Sequence, residues 1–221
     1  AAKYPGGNSY AKFLGNLRDE VLGYLSNEDR AALADVSGEN FNPVPDFEIT
    51  HPQGPGQTWT IGAASRHTTS ARMSSASFEN GRNLFHAMRC AACHRFDGLG
   101  GDVGPDLTTV KNKFDARYIL ESIIEPSKVI SDQYQSSIVV TEDGKTLTGL
   151  VSKDGDKVIV YPADAKAKPI EVSLDSVDEI LPSPVSQMPQ SMLNALNADE
   201  VRDLMAYLLS GGDPKSRIYK K

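Results

Sequence analysis

The sequence predicts a mainly α fold with a small antiparallel β insertion and an N-terminal helical and loop extension. Three observations predict it. Apolar residues recur at helical spacing around Phe13, Leu84, Ile119 and Leu204. Between Tyr134 and Leu181 the period drops to two. A stretch rich in Pro, Gly, Ser and Thr, from Asn42 to Ala76, reads as a long connection rather than as an element.

The elements follow in order. Phe13, Leu14, Leu17, Val21, Leu22 and Leu25 share one face of a helix over Tyr10 to Leu25. Ser26 is placed to cap a second short helix, with Asp29 three residues on and Gly38 at its end. The connection then wraps the surface, with the single tryptophan, Trp59, available to pin it. A helix starting at Ser77 brings Phe78, Gly81, Leu84, Phe85 and Met88 to one side and runs straight into Cys90. A glycine-rich loop from Asp97 to Gly104 follows. The next helix, Asp115 to Glu125, ends at Pro126.

Strands are expected over 137–141, 146–151 and 157–161, with two more over 170–174 and 177–181. Glu142-Asp143-Gly144-Lys145 and Lys153-Asp154-Gly155-Asp156 supply hairpin turns. A short helix is expected around Met192 to Leu196. Asn197 caps the last helix with Glu200 at the capping-box position, and Gly211 and Gly212 end it. The organisation is therefore an N-terminal segment and linker over 1–76, a main domain over 77–214 and a loose charged tail over 215–221. The β insertion occupies about 135–181 of the main domain.

Composition bounds the function. Lys plus Arg is 23 and Asp plus Glu is 29, for a net charge of −6. A chain this acidic lacks the basic balance of a nucleic-acid binder, and a partner with a basic face would be steered towards it. No apolar run reaches the ~20 residues of a membrane span. No charged-then-apolar leader is visible, so an exported chain is expected in mature or trimmed form.

The two cysteines, Cys90 and Cys93, stand two residues apart and directly before His94. Cys-x-x-Cys-His is the pattern of c-type haem attachment. Two thiols at this spacing reach the two vinyl groups of one porphyrin, and the next residue supplies the proximal imidazole. A structural zinc site needs four N or S ligands, and only three are local here. A thioredoxin-like dithiol needs a strand before the motif, whereas a helix is expected there. Two buried structural thiols are the third alternative.

The surrounding residues carry a resemblance. Gly81 and Phe85 before the motif, Gly104-Pro105-Asp106-Leu107 after it and Leu204-Met205-Ala206-Tyr207-Leu208 near the end resemble the monohaem c-type cytochrome family. The resemblance implies a cytochrome c-like helical haem domain over 77–214 holding one covalent haem c. It implies that Cys90, Cys93 and His94 attach and ligate the haem. It implies that the Pro105 carbonyl orients His94 and that Leu107 walls the pocket. With Leu120 to Ser127 and Met188-Pro189 added, the chain is similar to the C-terminal haem-binding domain of large secreted planctomycete-type proteins. That likeness covers about Ser77 to Pro214 and implies a possible parent multidomain chain.

For the sixth ligand, Met88 and Met205 lie on helix faces expected to turn into the core. By the resemblance, the distal methionine sits in a loop before the last helix, often followed by proline. Met188 fits, with Met192 as its rival and with Met73, His51, His67 and His86 as further candidates. His94 and Met188 are 94 residues apart, and the β insertion accounts for the excess over a minimal cytochrome. Tyr118, Tyr134, Tyr161, Arg89 and Arg95 are open to propionate contacts or to plain core and surface roles.

The function expected is an electron-transfer module, not an enzyme, cycling Fe(II)/Fe(III) between a redox donor and an acceptor protein. A haem enzyme or gas sensor with a displaceable sixth ligand is the alternative. A structural haem beside an interaction module is the third. Covalent attachment implies a periplasmic or otherwise exported location.

Overall fold

The computed structural model describes residues 47–101, 103–163 and 167–220, together with Tyr24, Ser26 and Asp29. The helix expected over Tyr10 to Leu25 and the stop at Gly38 lie outside the described residues. At the expected cap, the Ser26 hydroxyl accepts the Asp29 N–H at 3.1 Å.

Six α-helices are described: α1 (Ile61–Ser65), α2 (Ser70–Met73), α3 (Phe78–Ala87), α4 (Cys90–Cys93), α5 (Ala116–Ile124) and α6 (Ala198–Ser210). The expected starts at Ser77 and Asp115 are caps, as is Asn197. The side chains of Ser77, Asp115 and Asn197 accept N–H groups of the first turns of α3, α5 and α6. The Asn197–Glu200 capping box is complete, and Gly211 closes α6 in the left-handed region at φ 70°. The short helix expected near Met192 is a 3-10 turn over Met192–Ala195.

The main axis of the helical body is the crossing of α3 on α6. Gly81 makes it possible, because a Cβ there would stand 2.3 Å from the Asp203 carbonyl oxygen and 2.7 Å from Tyr207 Cβ. With the backbones this close, Leu84 and Phe85 reach Leu204, Met205 and Leu208 in one core. Phe78, Phe85 and Phe96 surround the Tyr207 ring at centroid distances of 5.3, 5.9 and 4.9 Å. Asp203, buried at the same crossing, accepts the Ser77 N–H and the Asn80 amide and pairs with Arg202. Each such bond offsets the cost of burying that carboxylate.

Two departures from expectation concern the segments before and after this body. Residues 47–76 are not all loop, since α1 and α2 form there. Their four or five residues are too few for a readable period, and packing on the body makes them helical. Trp59, 4% exposed, enters the helical core, and its indole N–H donates to the Leu196 carbonyl at 3.0 Å. Glu200 accepts the Gln53 and Gly54 N–H groups, and Asn197 donates to the Gly54 carbonyl. The C-terminal tail is docked rather than loose over its described part. Arg217–Tyr219 forms a 3-10 turn, and Tyr219 meets Phe78 at 5.8 Å.

The insertion is a five-stranded antiparallel sheet: β1 (Ser137–Thr141), β2 (Thr146–Asp154), β3 (Lys157–Tyr161), β4 (Ile170–Ser173) and β5 (Val177–Pro182). The strand order is β4-β3-β2-β1-β5. The start of β2 pairs with β1 and its end pairs with β3. The division falls at Gly149, where a Cβ would lie 2.2 Å from the Tyr161 carbonyl oxygen. Val139, Val158 and Val160, with Leu147, Val151, Val177 and Ile180, form a core separate from the helical one. The helical body fits the helical part of the expected fold. The sheet, with a core of its own, takes a larger share than a mainly α description conveys.

Two outcomes test this packing. Gly81→Ala gains helix propensity of about 1 kcal/mol but meets backbone, so it should still destabilise, by about 2 kcal/mol in denaturant unfolding. An unchanged midpoint would refute the close crossing. Burial, followed by the Asp97 charge, raises the Tyr207 phenol from 10.0 to about 12. Folding therefore favours the protonated phenol. Its stabilisation is whole below pH 10 and is lost as pH rises to about 12. Tyr207→Phe should remove that part of the alkaline loss, as read from unfolding midpoints against pH.

Candidate functional site

The site begins at the end of α3. The helix does not run straight into Cys90 as its apolar period suggests. Arg89 takes a left-handed conformation, φ 63°, and turns the chain before α4. That conformation is uncommon for a residue with a Cβ, and it starts a new helical turn that carries both thiols. Both cysteines are half-buried, and Cys90 packs against the helical core. Burial pushes the Cys90 thiol up to about 12 and also raises Cys93. Neither thiol is held as a thiolate.

The glycine loop closes around this turn. Gly101 N–H donates to the Ala91 carbonyl at 2.9 Å and Gly104 N–H to the Cys93 carbonyl at 2.8 Å. These bonds satisfy carbonyls that a four-residue helix leaves without partners. The approach demands missing side chains. A Cβ on Gly100 would stand 2.2 Å from the His94 carbonyl oxygen, and one on Gly101 would stand 2.4 Å from that of Ala92. Gly100 also has φ +108°, which a larger residue rarely adopts.

His94 is the centre of the cradle. Its Nδ1–H donates to the Pro105 carbonyl at 2.8 Å. A Cβ on Gly104 would stand 2.7 Å from its Cε1, so the ring lies flat against bare backbone. Burial lowers the imidazole pKa, and the Pro105 bond opposes that shift in part. With Nδ1 engaged, Nε2 is the nitrogen left for a metal. Leu107 N–H donates to the Arg95 carbonyl, and the Leu107 side chain packs against the helical core. Two thiols on one turn followed by an imidazole of fixed orientation fit the edge and the iron of a haem. Among the described residues, no group of three or more His, Cys, Asp or Glu side chains forms an alternative metal-ligand set.

The other candidates divide by packing. Met205 is fully buried and Met73 is 6% exposed, so both serve as core. Met88 caps α3 and packs on the same core. Met188 is half-buried in the loop after β5, and Met192 lies beside Trp59 and Ile124 around a small cavity. His67 packs edge-on against Trp59 and His86 against Phe47, which commits both rings, while His51 is exposed. Burial, with Arg82 next, lowers the His86 pKa. Tyr118 stacks on Phe114 at 4.4 Å and is 40% exposed, so it is not a core residue. Tyr134 is raised by burial and by the Asp106 carboxylate, which places it near the Pro105 loop. Arg89 and Arg95 are exposed.

The features that sequence reading did not single out are the contact of Gly104 with the imidazole and the left-handed Arg89. The first was signalled only as one glycine among several. The second has no local signal.

Residues 78–161 match the family model for cytochrome c. The match supports a c-type cytochrome with covalently bound haem and a haem-based electron-transfer role. It takes in α3, the attachment motif, α5 and the first three strands. The cytochrome c match stops at Tyr161, before Met188, Met192 and α6. Among curated proteins no match is found. No helix among the described residues is long and apolar enough to cross a membrane.

Gly104→Ala should push the His94 ring off the Pro105 carbonyl. The hydrogen-bonded Nδ1–H resonance of His94 should then be lost in proton NMR. Its persistence at the wild-type shift would show that the glycine is not what seats the ring.

Proposed function

We propose that residues 77–214 form a monohaem electron-transfer module, with the β insertion at about 135–181 and His94 and Met188 as axial ligands. The observation that carries the reading is the Nδ1 bond from His94 to the Pro105 carbonyl, next to two thiols on one helical turn. A bond to the far ring nitrogen fixes the tautomer and the ring plane and makes the ligand more basic. Bound here, the haem supplies reversible one-electron chemistry, Fe(II) to Fe(III). The chain's own contribution is to hold and orient: Cys90 and Cys93 anchor the porphyrin, the glycine loop seats His94, and Leu107 walls the proximal side.

Met188 is favoured as the sixth ligand because it is half-buried in an irregular loop, free of the core work that occupies Met73 and Met205. Methionine opposite histidine raises the potential. The partners are a redox donor and an acceptor protein. The sheet serves as structural cover for the haem or as a docking surface for a partner or a neighbouring domain. The setting is periplasmic or otherwise exported, where covalent attachment takes place, and a parent chain like the secreted planctomycete-type proteins accommodates it.

A pyridine haemochrome assay should report one covalent haem per chain, lost in the Cys90→Ala, Cys93→Ala double variant. Met188→Ala should lose the methionine-to-iron charge-transfer band of the ferric protein. A wild-type ferric form that is high-spin and binds cyanide readily would replace this reading with that of a haem enzyme or sensor.

A further inference from the structure

The loop from Ser183 to Met188 connects the sheet to the 3-10 turn before α6, and serine hydroxyls hold it. Val185 N–H donates to Ser183 Oγ, Ser186 N–H to Ser127 Oγ and Met188 N–H to Ser186 Oγ, each at 3.1 Å. Pro184 has no N–H to give. At the root of the sheet, Ser183 N–H donates to the Ser136 carbonyl at 2.8 Å, and Gln135 donates to the Ser183 carbonyl. Among these bonds, only the one from Ser186 to Ser127 reaches the helical body.

Ser127 follows buried Pro126 at the end of α5, whose Ile119 and Leu120 are anchored in the helical core. It is 59 residues from Ser186 in the chain, with the whole sheet between them. The neighbouring Val129 and Val185 are 70% and 60% exposed. The sheet also has a core of its own.

We propose that Ser127, acting through Ser186, is a positioning residue for Met188: it ties the distal loop to the end of α5 and sets where the thioether is presented. The inference rests on Met188 being the sixth ligand. Two bonds in series connect the helical body to the Met188 backbone. Losing the first should let the loop drift and favour competitors for the iron without removing the ligand itself.

The test uses the haem-loaded protein and imidazole as the competing ligand. Ser127→Ala should bind imidazole about fivefold more tightly than wild type, as expected for one neutral hydrogen bond. It should also bleach the methionine-to-iron band at lower imidazole. Ser127→Thr, which keeps the hydroxyl, should behave as wild type. Ser186→Ala removes the acceptor of Met188 N–H without touching the body, and should shift binding in the same direction even if Ser127→Ala does not fold. Wild-type imidazole affinity in both alanine variants, with Met188→Ala lacking the band, would overturn the positioning role and leave the ligation intact. A band that persists in Met188→Ala would overturn the ligation reading itself, and the inference with it.

Discussion

The close approach of α3 to α6 at Gly81 is the constraint on which the helical body depends. Without a Cβ at that point, the first helix of the body can lie against the backbone of the last. The contact joins elements more than a hundred residues apart in the chain, and the aromatic cluster around Tyr207 fills the space beside it. Phe96, two residues past His94, belongs to that cluster and so fixes the chain on the far side of the Cys90–Cys93 turn. The site is thus braced at both ends, by α3 before it and by Phe96 after it. The turn between those braces meets backbone of the loop that follows, with Gly100, Gly101 and Gly104 where a side chain would intervene.

The described segments flanking the body are fastened to the same helix. Glu200 caps α6 and also receives the amides of residues 53 and 54, so one carboxylate serves the helix end and the incoming strap. At the other end, Lys111 Nζ donates to the Ser210 carbonyl and places a cation against the C-terminal end of the helix. This doubling explains the burial of Glu200 and Asp203 in a helix whose apolar stripe would otherwise predict them outside. Their carboxylates are satisfied by backbone and side-chain donors that long-range packing brings to them.

The β insertion obeys different rules. Its elements are local, antiparallel and joined by turns with glycine at positive φ, Gly144 at 78° and Gly155 at 58°. It keeps a separate valine-rich core, and its entry and exit strands lie side by side, joined at Ser136 and Ser183. An insertion closed at its own root disturbs its host little. It does lengthen the path from His94 to the loop that carries Met188, and hydrogen bonds from Ser186 to Ser127 and from Met188 to Ser186 hold that loop.

What the sequence determined by itself was local. Helix starts at Ser77 and Asp115, the cap at Asn197 and the five strands rest on residue chemistry within a few positions, and the structure has each of them, although β2 runs three residues past its expected end at Val151, to Asp154. The Cys90-x-x-Cys93-His94 pattern is local in the same sense, because its chemistry depends on spacing along one turn. Tertiary structure decided what depends on distant partners: the break at Arg89, the helices α1 and α2, the docked tail, and the partition of five methionines between core and loop. It also decided the seat of His94, since the flatness of the ring against Gly104 depends on a loop folding back across ten residues. Short-range preferences are written in the residues that express them. Close approach depends on the empty space a distant neighbour leaves, and no single stretch of sequence records that space.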